Sequence, residues 1–117
     1  RGIPTVFNYA LDFYKQNTEL NVNDRLVHTL IGIMQICDDS TIIYRHSPQV
    51  LQEVREKTIE IIKLGGMKTD IGRRKISVLC EEFIEKNISP GGSADLLGVT
   101  VFLYFVEEYM DNNNIYI

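Results

Sequence analysis

A chain of 117 residues, 44% apolar and 24% charged, has the length and balance of one globular domain able to bury roughly two thirds of its unfolded surface. The composition excludes a disordered, collagenous or disulfide-scaffold chain. A formal net charge of −4 argues against a general nucleic-acid binder, which carries a basic face, but leaves room for a nucleotide site, because a few local charges hold a phosphate.

Apolar spacing predicts an all-α fold of about five helices. The first runs from about Thr5 to Lys15, with Thr5 as N-cap and Val6, Tyr9, Ala10 and Phe13 on one face. The polar stretch from Asn17 to Asn23 is a turn, and Asn23 caps a second helix. There Leu26, Val27, Leu30, Ile31, Met34 and Cys37 recur at three- and four-residue spacing. Asp38 and Asp39 end that pattern. A polar connection then leads to Ser47-Pro48, an N-cap followed by proline at the first helical position.

The third helix presents Leu51, Val54, Thr58, Ile61 and Ile62 and stops at Gly65-Gly66, where glycine permits a left-handed C-cap. The fourth starts near Asp70, buries Ile76, Leu79, Cys80, Phe83 and Ile84, and ends near Asn87. Ile88-Ser89-Pro90-Gly91-Gly92 cannot continue a helix. Ser93 restarts one, and Leu96 to Val106 is apolar nearly all round. Such a helix is expected at the centre, buried on every side, with the others packed about it. The tail from Asp111 to Asn114 is expected to fray.

Cys37 and Cys80 lie far apart in apolar helical patterns and read as two buried, reduced thiols, which fits a cytoplasmic protein. The opening Arg1-Gly2-Ile3-Pro4 has no apolar run behind a basic start, so no signal peptide is read. The stretch from Leu96 to Val106 is shorter than the roughly 20 residues that span a bilayer. Without an initiator Met, the chain reads as a cleaved or truncated piece of a longer protein.

Two segments carry chemistry. In Ser89-Pro90-Gly91-Gly92-Ser93-Ala94-Asp95, two glycines and a serine at a helix N-terminus expose backbone N–H groups at the positive end of the dipole, where phosphate binds. Ser89 and Ser93 add hydroxyl donors, and Asp95 in the first turn suits Mg²⁺ better than a bare phosphate. The plain alternative is a turn before a helix. The second segment is Asp38-Asp39-Ser40-Thr41-Ile42-Ile43-Tyr44-Arg45-His46. Paired carboxylates at a helix C-terminus run against local preference, which marks a candidate for function. Through oxygen they suit Mg²⁺, and Arg45 can pair with phosphate as a fork. The alternative is a solvated loop with an Asp–Arg pair. His28 reads as a structural histidine beside the apolar stripe, His46 stands next to Arg45 within reach of a substrate, and Arg73-Arg74-Lys75 reads as a solvated face or, alternatively, a run that attracts a polyphosphate. No Walker A sequence, Cys/His metal spacing or Ser-His-Asp set can be assembled.

Ile88-Ser89-Pro90-Gly91-Gly92-Ser93-Ala94-Asp95-Leu96-Leu97 closely resembles the C-terminal motif of the triphosphoribosyl-dephospho-CoA synthase family. The expected apolar helix follows it, with Thr100, Phe102 and Leu103. Upstream, the run from Ile33 to Thr41 leading into Arg45-His46 is similar to the family's Asp-Thr-Asn stretch before an Arg-Gly. Gly2-Ile3-Pro4-Thr5-Val6 is similar to a Gly-Phe-Pro segment that starts a helix in the family. The chain departs from the pattern at Thr41, where the family has asparagine, and at His46, where it has glycine.

The resemblance implies a transferase acting on ATP and 3′-dephospho-CoA. It would release adenine and form 2′-(5″-triphosphoribosyl)-3′-dephospho-CoA, precursor of the prosthetic group of citrate lyase or malonate decarboxylase acyl-carrier subunits. It implies that Asp39 and Asp95 are catalytic and hold Mg²⁺ or the ribose, that Arg45 neutralises triphosphate, and that Ser89, Gly91, Gly92 and Ser93 hold phosphate. The chain matches only the later part of the family. Its partners would therefore include the N-terminal portion of the same protein, and the fragment alone would be inactive. Two other readings stay open: a divergent member acting on another nucleotide, and a non-catalytic helical module that forms a homodimer through the Leu96–Val106 helix. Neither a nucleic-acid nor a membrane partner is expected.

Overall fold

The computed structural model describes the backbone of residues 5–114, and the side chains of 8–39, 42, 43 and 45–114. Thr5 as an N-cap, Val6 on the first helical face, the Gly2–Pro4 start and the placement of residues 115–117 lie outside the described residues. The chain is all-α, in the order α1 (Thr5–Lys15), α2 (Val22–Met34), α3 (Ser40–Arg45), α4 (Pro48–Lys63), a 3₁₀ turn (Gly66–Lys68), α5 (Asp70–Lys86) and α6 (Gly91–Asn112).

Local chemistry sets most of these limits. Ser47 Oγ accepts the Val50 N–H at 3.2 Å, with Pro48 at the first helical position. Thr69 Oγ1 accepts the Gly72 N–H at 3.1 Å to start α5, and Asn87 ends that helix in the left-handed region. The cap of α2 is Asn21 rather than Asn23. Asn21 Oδ1 accepts the Asp24 N–H at 2.8 Å, which puts the Asp24 carboxylate in the first turn, against the positive end of the helix. The connection after Asp39, expected as a polar loop, winds into the short α3. At the other end α6 stays helical through Asn112, beyond the expected start of fraying.

The central helix is α2, which packs on α1, α4, α6 and the 3₁₀ turn. Ile31 and Met34 of α2 meet Ile42, Leu51, Val54, Ile61, Ile76 and Leu79 in the main core. The expectation of a buried, central C-terminal helix does not hold. α6 turns Ser93 and Thr100 inward and leaves Val99, Phe102, Phe105 and Tyr109 exposed. It packs on α1, α2 and α3 along one side only. Cys80 and Ile84, expected in the core, are exposed, and Cys37 is half-buried. The reason is the same: α5 packs its inner side on α4 and the 3₁₀ turn and reaches α2 through Arg73, while among the described residues its outer side has no neighbour. Among the described residues no helix is long and apolar enough to cross a membrane.

Two buried polar side chains tie the layers together. The Arg25 guanidinium donates from Nε to the Tyr14 carbonyl at 2.8 Å and lies 3.9 Å from the Tyr14 ring centroid and 5.0 Å from that of Tyr104. Its Nη2 has no hydrogen-bond partner among the described residues, and the two ring faces meet the charge instead. That joins α1, α2 and α6. His28 is buried, stacks on Phe13 at 5.2 Å, and accepts the Met67 N–H at Nδ1, 3.1 Å away.

Burial, reinforced by the Lys68 charge, holds the His28 pKa below its ordinary value, with Glu19 pulling weakly the other way. A histidine that binds protons less readily folded than unfolded stabilises the fold above the unfolded value of about 6.5. Stability falls as pH drops through that value toward the lower folded one. Glu82, held low by its hydrogen bond from Lys57, loses its contribution only in more acidic solution. The thermal midpoint should therefore decline between pH 7.5 and pH 5.5, and His28→Gln should flatten that slope. An equal slope in the variant would assign the pH response to other groups.

Candidate functional site

Asp39 and the Gly91-Gly92-Ser93 turn, 53 residues apart in sequence, meet in one cluster. Asp39 Oδ1 accepts the Gly92 N–H at 3.2 Å and the Ile42 N–H at 3.3 Å. Its Oδ2 accepts the Ser93 N–H at 2.9 Å and the Ser93 hydroxyl at 3.0 Å. One carboxylate thus caps the N-termini of α3 and α6 together, with both positive helix ends turned toward it. Asp39 and Ser93 are each 1% exposed. Sequence reasoning placed Asp39 at the unfavourable end of α2, but α2 ends at Met34, so the residue stands at a favoured position for two later helices.

This geometry changes the parts assigned to the turn. α6 begins at Gly91, and Ser93 lies inside its first turn instead of capping it. The Gly92 and Ser93 N–H groups expected for phosphate are already held by Asp39. Asp39 Oδ1 and Oδ2 thus both accept bonds from the chain itself. The Gly-Gly pair has a local reason too. A Cβ at Gly92 would lie 3.2 Å from Asp39 Oδ1, closer than side-chain carbons normally sit.

The other predicted residues lie at the surface. Asp95 is exposed in the first turns of α6, and Ser89 and Arg45 are exposed at the end of the α5–α6 connection and of α3. Asp38 points away from its neighbour and pairs with Arg55 Nη2 of α4 at 2.5 Å. Its side chain is 82% exposed, so this pair adds little stability. Arg55 was not singled out from sequence, although the expected Asp–Arg pair exists, with Arg55 in place of Arg45. His46 Nε2 lies 3.1 Å from the Asn87 carbonyl, linking the end of α3 to the end of α5.

Cys37 completes the inner shell. Burial raises its thiol pKa, and the nearby Asp39 and Asp38 charges raise it further against a hydrogen bond with Ser93. No group of three or more His, Cys, Asp or Glu side chains suited to a metal occurs among the described residues. Any Mg²⁺ here would take most of its oxygens from a bound phosphate and water, with Asp95 the exposed carboxylate available.

The arrangement is a helix N-terminus whose first amides are held by Asp39, with Asp95 exposed one turn further on. Residues 1–114 match the family described as ATP:dephospho-CoA triphosphoribosyl transferase. A protein from Malonomonas rubra named "Probable 2-(5''-triphosphoribosyl)-3'-dephosphocoenzyme-A synthase" is 34% identical over 110 residues, 92% of this chain and 35% of that protein. One of the same name from Lactiplantibacillus plantarum is 35% identical over 103 residues, 87% of this chain and 36% of its own length. The Escherichia fergusonii "2-(5''-triphosphoribosyl)-3'-dephosphocoenzyme-A synthase" is 33% identical over 106 residues, 87% and 34% respectively. The chain spans about a third of the length of these relatives. No solved structure matches it. By the extent of the family match, the chain belongs to the ATP:dephospho-CoA triphosphoribosyl transferase family.

Proposed function

We propose that this chain is the C-terminal helical part of a cytoplasmic triphosphoribosyl-dephospho-CoA synthase and contributes one side of its active site. The observation that carries the reading is the family match across residues 1–114. The motif from Ile88 to Leu97 falls within it, and its helix start is locked by Asp39. In the reaction, the ribose 2′-hydroxyl of 3′-dephospho-CoA attacks C1″ of the ATP ribose. The C1″–O bond forms, the bond from C1″ to adenine breaks, and the hydroxyl proton ends on the departing base. The triphosphate stays on the transferred ribose throughout. The product would serve as the prosthetic-group precursor of citrate lyase or malonate decarboxylase acyl-carrier subunits.

The roles divide by exposure. Asp39 is a positioning residue, holding Gly92 and Ser93 in place. Asp95, exposed on α6, contacts the ribose or the Mg²⁺ that accompanies the triphosphate, Ser89 and Gly91 beside the α6 start meet phosphate oxygens, and Arg45, exposed at the end of α3, neutralises triphosphate charge. Bound Mg²⁺ would neutralise triphosphate charge during the transfer.

The test joins this chain to the rest of its family fold and follows adenine release from ATP and 3′-dephospho-CoA. Asp95→Ala is expected to lower kcat/KM by about 100-fold and to shift the Mg²⁺ dependence. Its thermal midpoint should not move, because Asp95 is exposed. Unchanged activity and Mg²⁺ response would remove Asp95 from the site. Absence of adenine release from the wild type would overturn the functional reading.

A further inference from the structure

α6 is apolar on both sides: Leu96, Leu97, Leu103 and Tyr104 are half-buried, and Tyr104 packs edge-on against Tyr14. Its two fully buried side chains are Ser93 and Thr100, while Val99, Phe102, Phe105 and Tyr109 are 44%, 65%, 58% and 63% exposed. A surface helix ordinarily turns its apolar stripe to the core and its polar side chains to water. Thr100 even satisfies its hydroxyl within the helix, on the Leu96 carbonyl at 2.8 Å. The exposed residues recur every three or four positions, so they form one stripe along the helix. Gly98 lies within it, and a Cβ added there would meet nothing within 4 Å. A mid-helix glycine weakens a helix relative to alanine, and nothing among the described residues crowds that point. It lets a neighbouring helix approach closely.

The dimensions agree with a missing neighbour. The molecule measures 47 × 32 × 20 Å with a radius of gyration of 15.0 Å. A closed domain of this length has about 13.4 Å, and 20 Å is two helix diameters. Its accessible surface is 7319 Å², against about 6,500 Å² for a compact chain of this mass. Relatives are about three times as long as the part this chain matches.

We propose that the outer face of α6, from Asp95 through Gly98 and Phe102 to Tyr109, docks the remaining two thirds of the family fold through an apolar helical surface. The inference rests on the family reading and adds where the two parts meet. Asp95 shares this face, so the incoming part closes over its carboxylate and the active site lies at the seam. α6 carries Asp95, Glu107, Glu108 and Asp111 and no basic residue. That charge disfavours an anionic membrane surface and a second α6 paired in parallel.

In the test, this chain carries an affinity tag and is co-expressed with the part of the Malonomonas rubra relative outside the matched region. The two should co-purify in equal amounts. Phe102→Ser with Phe105→Ser should weaken the complex by at least about 30-fold, while the helical circular dichroism of the chain alone is retained. Gly98→Ala should raise the chain's own thermal midpoint yet also weaken the complex, an outcome that no folding defect produces. Failure to co-purify, or equal capture by the double variant, overturns the proposal. So does a stable homodimer of the wild-type chain that the double variant dissolves, which would give the face to a second copy. A complex that forms but releases no adenine would instead count against the functional reading and leave the docking face standing.

Discussion

Asp39→Ala should lower the midpoint of thermal unfolding by about 12 °C, the largest loss expected from any single side chain of the candidate site. The carboxylate caps two helices, and each lost cap costs roughly 1–2 kcal/mol. The Ser93 hydroxyl, buried with its residue at 1% exposure, loses its acceptor as well. Together these give about 3 kcal/mol, and for a domain of this length each kcal/mol moves the midpoint by roughly 4 °C. Asp39→Asn should fall between the two. It keeps one acceptor oxygen, but turns an NH₂ donor toward the N–H groups on the other side and removes the charge facing two helix dipoles. Hydrogen exchange should speed up first at the start of α6. An Asn variant as stable as wild type would show that the second oxygen and the charge contribute nothing. In the complete enzyme the alanine variant should also lose activity, since Asp95 stands only one turn beyond Gly91-Gly92.

Helix existence was legible because capping and periodicity are local. Ser47-Pro48, Gly65-Gly66, Asn87 and the apolar spacing of α2 and α4 all act within a few residues, and the structure bears them out. What a face packs against is not local. The run from Leu96 to Val106 looks the same in sequence whether it is central or an open interface, and only the inward turn of Ser93 and Thr100 separates the cases. The Asp39 misreading has the same origin. Its capping partners at Gly92 and Ser93 lie more than 50 residues away, and the nearer one, the Ile42 N–H, matters only once α3 is recognised. The two acids at positions 38 and 39 were a real signal, but sequence could not say which turned inward. The site motif itself was readable as a helix start. That its N–H groups are already occupied was not.

Gly72→Ala should destabilise the chain by about 2 kcal/mol although alanine is the better helix former by roughly 1 kcal/mol. Gly72 sits in the first turn of α5, where a Cβ would fall 2.0 Å from the Gly66 carbonyl oxygen and 2.7 Å from its nitrogen. Those are backbone atoms, and they cannot swing aside as a side chain would. The segment they belong to is held on both sides: Gly65 adopts φ 107° and Gly66 φ 55°, and His28 Nδ1 accepts the next N–H, from Met67. Relief would require the 3₁₀ turn to lift from α5 and release that bond, exposing His28 to water. Gly98→Ala is the internal control, because the same substitution in the middle of α6 meets open space. There the propensity gain stands alone, and the isolated chain should gain up to about 1 kcal/mol. Urea unfolding of the two variants side by side decides it. Opposite signs show that the cost at Gly72 is the α5 contact with the turn; a gain at both positions would mean the turn yields without penalty, and the His28 bond with it.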